Sequence, residues 1–183
     1  MDELSRQYYS DLKSNDPNVR YEGYKYLMKE TQNQVDWTYE VWDDLVELTR
    51  TGDNHERAIA TQLLTNLAKS DPQKKIIADL DKIIAVTKDE KFVTARHTIQ
   101  SLWKIGVISK EMQELIISHL TKRYEECVSE KNYTLIRYDI LENFRKIFDQ
   151  FRDETVKARA LDLIAKEIDP KYQKKYTGLW KRS

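Results

Sequence analysis

Asp16-Pro17-Asn18-Val19-Arg20-Tyr21-Glu22-Gly23-Tyr24-Lys25-Tyr26-Leu27 is the stretch from which the fold can be read. Asp followed by Pro suits a helix start. The carboxylate accepts hydrogen bonds from free N–H groups of the first turn, and the N–H that proline lacks would go unpaired there anyway. Val19, Gly23 and Leu27 then recur every fourth residue, with Arg20 beside the first of them. The same spacing returns as Glu56-Arg57-x-x-Ala60-x-x-x-Leu64, as Ala95-Arg96-x-x-Ile99-x-x-x-Trp103 and as Ile136-Arg137-x-x-Ile140-x-x-x-Phe144. The arginines stand at 20, 57, 96 and 137, in steps of 37, 39 and 41 residues. A period near forty, with room for two helices per unit, is the mark of a helical solenoid.

Working outward, the apolar spacing predicts helices over 2–13, 17–31, 36–50, 54–69, 72–87, 90–105, 109–127, 131–149 and 153–168. Ile76, Ile77, Leu80, Ile83 and Ile84 form one apolar stripe; Met112, Leu115, Ile116, Leu120 and Tyr124 form another. Asp71-Pro72 and Asp169-Pro170 are expected to open helices as Asp16-Pro17 does. Breaks are expected at Thr51-Gly52-Asp53, Ser70-Asp71, Gly106-Val107 and Ser129-Glu130. No stretch alternates with period two, and four glycines and three prolines are too few for the many tight turns of a sandwich or barrel. The fold class expected is all-α.

The opening Asp16-Pro17-Asn18-Val19-Arg20 resembles the start of a HEAT-family unit, in which an Asp-Pro turn is followed by Val-Arg, a small residue and Leu. The other three units share the arginine and the apolar spacing, so the resemblance covers roughly residues 14–168. It implies a right-handed α-solenoid of about four antiparallel helix pairs within a single repeat domain, 1–183. Residues 1–13, with Leu4, Tyr8 and Leu12 in one stripe, are expected to form an N-terminal cap. Residues 169–183, with Tyr172, Tyr176, Leu179 and Trp180, are expected to form a C-terminal cap or tail. In HEAT-like stacks the equivalent arginine commonly bridges neighbouring units through an acidic residue or a loop carbonyl. Arg20, Arg57, Arg96 and Arg137 are therefore expected to be a structural ladder, and a phosphate-binding role would need them exposed on one face. Leu64 and Phe144 are expected core positions. The motif marks a fold and not an activity.

Composition narrows the function. Lys+Arg and Asp+Glu both number 31, so the formal net charge is zero. Proteins that grip nucleic acid usually carry a basic excess, so this balance disfavours that class without removing it. One cysteine, Cys127, excludes an intrachain disulfide and is expected to be packed in a helix. Met1-Asp2-Glu3-Leu4 lacks a signal-peptide pattern and no apolar run approaches the ~20 residues that span a bilayer. A cytoplasmic setting is expected. His55, His97 and His119 lie far apart, no Gly-x-Ser-x-Gly turn is present, and Gly23, Gly52, Gly106 and Gly178 are isolated. No catalytic residue, metal or cofactor is expected.

The second helices of such a solenoid tend to line its concave face. Helical phase puts Tyr39, Asp43 and Glu47 there, then Asp79 and Lys82, then Glu114, Ser118 and Lys122, then Asp162 and Lys166. The signs are mixed, which suits a protein or peptide partner better than a polyanion. Asp36, Trp37, Tyr39, Glu40, Trp42, Asp43 and Asp44 form the densest aromatic–acidic cluster, either a core edge with Trp42 at the border or a binding site. The alternative reading is nucleic-acid binding. Certain bacterial glycosylases for alkylated DNA are built from HEAT-like repeats, and Trp37, Trp42 and Asp43 or Asp44 would imitate their lesion site. Lys171, Lys174, Lys175, Lys181 and Arg182 are expected to form a solvated basic end. An enzyme on a HEAT-like scaffold has no sequence feature in its favour.

Overall fold

The computed structural model describes residues 1–181, and all regular structure among them is helical. In chain order the helices are α1 (Glu3–Asp11), α2 (Pro17–Glu30), α3 (Thr38–Thr51), α4 (Asn54–Leu67), α5 (Lys75–Val86), α6 (Phe92–Ser101), α7 (Trp103–Gly106), α8 (Lys110–Glu126), α9 (Tyr133–Phe151), α10 (Glu154–Ala165) and α11 (Pro170–Thr177). Side-chain caps explain most starts. Asp16 and Asp169 accept from the N–H groups of Asn18 and Lys171, with proline at the first helical position as expected. Asp53 and Glu56 close a reciprocal capping box on α4. Such caps are worth ~1 kcal/mol each.

The chain, expected as one repeat domain, divides into two compact units, Met1–Thr98 and a second that begins at Ile99. In the first, α1 lies so close on α2 that a Cβ at Gly23 would come within 2.6 Å of the Tyr8 carbonyl oxygen. The rings of Tyr8 and Tyr26 stack 4.2 Å apart across the same contact. Helix α2 also packs on α4, while α3 packs on both α4 and α5. Leu27, Trp42, Leu45, Leu64 and Ile83 are completely buried. Leu4, expected in the α1 stripe, is 54% exposed. Ser5 is buried in its place, because its hydroxyl donates to Glu30 across the helix pair.

In the second unit α7 packs on α8 and α9, α8 on α10, and α10 and α11 on α9. Ile99, Leu102, Ile116, Ile140, Phe144 and Ile147 fill its core. Helix α11 packs on α9 and α10. Tyr176 is completely buried and its hydroxyl donates to the Thr134 carbonyl at 2.8 Å. Lys171, Lys174, Lys175 and Lys181 are exposed, whereas Arg182 lies outside the described residues.

Two expectations need correction. Asp71-Pro72 does not open a helix. It forms a β-turn in which the Lys74 N–H donates to the Asp71 carbonyl, with proline at the second position and Lys74 left-handed at φ 56°. The Asp71 carboxylate is drawn away to the Tyr39 hydroxyl and the Ile76 N–H, so α5 begins only at Lys75. The single helix expected over 90–105 is interrupted at Leu102. Trp103 consequently leaves the buried phase that Leu27, Leu64 and Phe144 occupy on their helices; it is half-buried and Leu102 takes the core position.

Candidate binding surface

The ten residues assigned to a partner surface divide into exposed groups and groups consumed by the fold. On α3, Asp43 and Glu47 are exposed; on the adjoining α5, Lys82 is exposed. Asp43 accepts from Lys75 at 2.6 Å, an ion pair that joins the two helices. Asp79 is buried beside it. Its carboxylate accepts from the Trp42 indole N–H at 2.9 Å and from Lys82 at 2.7 Å. Burial pushes the Asp79 carboxyl up, but those two bonds and the neighbouring lysine charges outweigh it and hold the carboxyl below its ordinary range. Tyr39 is also structural: its hydroxyl donates to Asp71 at 2.7 Å and accepts from the Gln73 N–H.

In the second unit Glu114, Ser118 and Lys122 on α8 and Asp162 and Lys166 on α10 are all exposed. Helices α8 and α10 pack together, and Lys166 reaches Glu125 of α8 at 2.5 Å. Both units therefore present a mixed-charge surface built by two neighbouring helices. Within Asp36–Asp44 the acidic residues Asp36, Glu40, Asp43 and Asp44 are exposed while both tryptophans are buried. Trp42 is completely buried rather than at the border, and Trp37 is 5% exposed. Neither indole is available to stack on a base.

The arginine ladder is held by carbonyls and carboxylates. Arg57 makes a two-pronged bond to Asp89 at 2.5 and 3.0 Å and a third to the Gly52 carbonyl. Arg137 bonds Glu167 at 2.8 Å and the Tyr124 carbonyl, with its guanidinium between the rings of Tyr124 and Tyr133. Arg20 reaches the Ser14 carbonyl at 2.7 Å, and Arg96 lies over the Phe92 ring. Arg57 and Arg137 thus each tie their own helix to a carboxylate and a carbonyl outside it.

Sequence reasoning missed the polar side chains that join helices inside each unit. Thr61 and Thr98 share a buried hydroxyl pair at 2.9 Å, and Asn66 donates to Thr31. Asn143 accepts from the Trp103 N–H, and Gln113 donates to Asp153. The signal was present as Thr, Asn and Gln on the buried side of amphipathic helices, but a polar residue there shows its partner only once the neighbouring helix is in place. Cys127 is buried and unpaired with any other cysteine, and burial pushes its thiol up. Among the described residues no His, Cys, Asp and Glu are grouped to hold a metal ion, and no helix is long and apolar enough to cross a membrane.

No family model matches the chain, and no curated protein matches it. Solved structures do resemble it. One crystal structure, described as an engineered protein, aligns with a TM-score of 0.57 at 18% identity over 96% of this chain and 78% of its own. Another engineered protein aligns with a TM-score of 0.55 at 15% identity over 96% of this chain and 77% of its own. At these identities the likeness is one of fold alone.

Proposed function

We propose that the chain is a HEAT-like stack of antiparallel helix pairs that serves as a non-catalytic, cytoplasmic protein-binding module. The stacking reading is supported inside each unit, where α2 packs on α4 and α3 on α5, and α7 on α9 and α8 on α10. Hydrogen bonds recur at nearly the repeat distance: Trp42 to Asp79 across 37 residues, Gln100 to Asp139 across 39 and Gln113 to Asp153 across 40. Repeats of this kind bury their apolar faces against the next pair and leave one broad helical surface for a partner.

The observation that carries the functional reading is the α3–α5 surface, where exposed Asp43, Glu47 and Lys82 stand over the buried Trp42–Asp79 bond. Charges of both signs on a rigid platform suit a folded protein or charged peptide of complementary pattern, since charge pattern sets specificity more than affinity. The test is affinity capture with the wild-type chain, with an Asp43→Lys/Glu47→Lys variant and with a Lys157→Ala control on α10. A partner retained by wild type and control and lost by the double variant supports the reading. A partner indifferent to the double variant overturns it, as does salt-sensitive binding of duplex DNA stronger than that of any protein.

A further inference from the structure

A second surface lies on the first helices of the amino-terminal unit. A groove of about 370 Å³ runs between α2 and α4 and reaches His97 of α6. Arg20, Tyr21 and Tyr24 line one side and His55 and Ile59 the other, and no Asp or Glu contributes to the lining. Tyr24 is held in place by its hydroxyl, which donates to Gln62 at 2.9 Å, and burial pushes that phenol up. Tyr21 is 57% exposed and its ring lies 6.4 Å from that of Tyr24. The nearest acidic residue on α2, Glu22, is paired with Lys25 at 2.7 Å.

Arg20 is what makes this groove more than an apolar recess. It occupies the repeat position of Arg57 and Arg137, each of which spends its guanidinium on a carboxylate. Arg20 bonds the Ser14 carbonyl through Nη1 and, among the described residues, has no carboxylate partner. Its remaining N–H groups stand at the edge of an aromatic-walled groove with no acid to satisfy them. A guanidinium in that setting recognises a carboxylate through paired N–H donors. One permanent cation against apolar walls suits a single carboxylate flanked by an apolar side chain. A nucleic-acid backbone needs several cations spaced along its phosphates.

We propose that this groove docks an acidic peptide segment of a partner protein, with a carboxylate on Arg20 and the adjoining apolar side chain between Tyr24 and Ile59. The occupant takes the place that an acidic residue of the chain itself takes at Arg57 and Arg137. This surface lies on other helices than the α3–α5 platform, so either can fail without the other.

The probe is a fluorescein-labelled, end-blocked Leu-Glu-Leu-Glu-Leu peptide, added to the full chain and followed by anisotropy and by amide NMR shifts. Saturable shifts at residues 17–24 and 55–62 are expected, and replacing both glutamates of the peptide by glutamine should weaken binding about tenfold or more, the loss of one charge-assisted bond. Arg20→Gln should do the same and Arg20→Lys should recover part of it. Because Arg20 also supports the Ser14 turn, Tyr21→Glu is the second variant. It sits on an exposed residue and should repel the peptide without disturbing the fold. Absence of saturation, equal binding of the glutamine peptide, indifference to both Arg20→Gln and Tyr21→Glu, or tighter binding of adenosine monophosphate at the same residues would each overturn the proposal.

Discussion

The side-chain amide of Asn143 on α9 stands in the hydrogen-bond ladder that Trp103 would otherwise close. Its Oδ1 accepts from the Trp103 N–H at 2.6 Å, and its Nδ2 donates at 2.9 Å to the Ile99 carbonyl, the acceptor four residues before Trp103. The α-helical bond between those two backbone groups is thus replaced by a completely buried side chain from another helix. This insertion separates α6 from α7, and an inserted side chain is a recognised cause of helix interruption. Asn143→Leu keeps the volume and removes both bonds, leaving the Trp103 N–H buried without a partner. We expect a loss of about 1–3 kcal/mol in urea unfolding. Amide exchange at Trp103 should accelerate more than at neighbouring residues; unchanged protection there would show that the amide insertion is not what holds this segment.

The ion pairs of the two units should differ sharply in worth. Glu167 is completely buried and faces Arg137, itself 8% exposed, at 2.8 Å. Glu167→Gln removes the counter-charge of a buried guanidinium and should cost about 3–5 kcal/mol. Asp43 and Lys75 form an exposed pair, and Asp43→Asn should cost about 0–1 kcal/mol. Denaturation midpoints of the two variants measured side by side test the contrast, and equal losses would contradict it.

Asp79 should impose a pH dependence of a defined sign. Burial opposes its ionisation, yet the bonds from Lys82 and Trp42 hold its folded carboxyl below the ordinary value. A depressed folded pKa contributes stability that is complete above the unfolded value, about pH 4, and is lost as pH falls through the folded one. Asp79→Asn keeps an acceptor for the indole but removes the charge. The variant should be less stable than wild type by about 1–3 kcal/mol at neutral pH, the range for bonds to a charged group, and the difference should shrink in acid. Unfolding curves at neutral pH and near pH 3 would decide; a difference that grows in acid reverses the assignment.

Cys127 should be inert in the native protein. Its thiol is buried, burial pushes it up, and Sγ lies 3.3 Å from the Tyr124 carbonyl, to which it donates. The reactive species is the exposed thiolate. With Ellman's reagent at neutral pH, thiol release is expected only after denaturant is added. Rapid release from the folded chain would show that this part of the second unit opens readily.

The local structure was largely legible. The two core positions expected from the Arg-plus-apolar registers, Leu64 and Phe144, are both completely buried, since one helical face must be buried whatever covers it, whereas Val19 and Trp103 in the same registers are not. Two of the three Asp-Pro starts hold because cap and proline act within one turn. Asp71-Pro72 has the same letters and becomes a β-turn, because Tyr39, 32 residues away, competes for the Asp71 carboxylate.

The sequence by itself determined an all-helical chain, where most helices run and which stripe each one buries, because those properties depend on contacts within a few residues. The tertiary structure alone decided that Trp42 is buried against Asp79, that Asn143 interrupts a helix forty residues away, and that Arg20 lacks a carboxylate of the kind that Arg57 and Arg137 hold. Each of these depends on which polar group on a neighbouring helix comes within about 3 Å. Spacing along the chain sets a side chain's direction and leaves its partner to the packing.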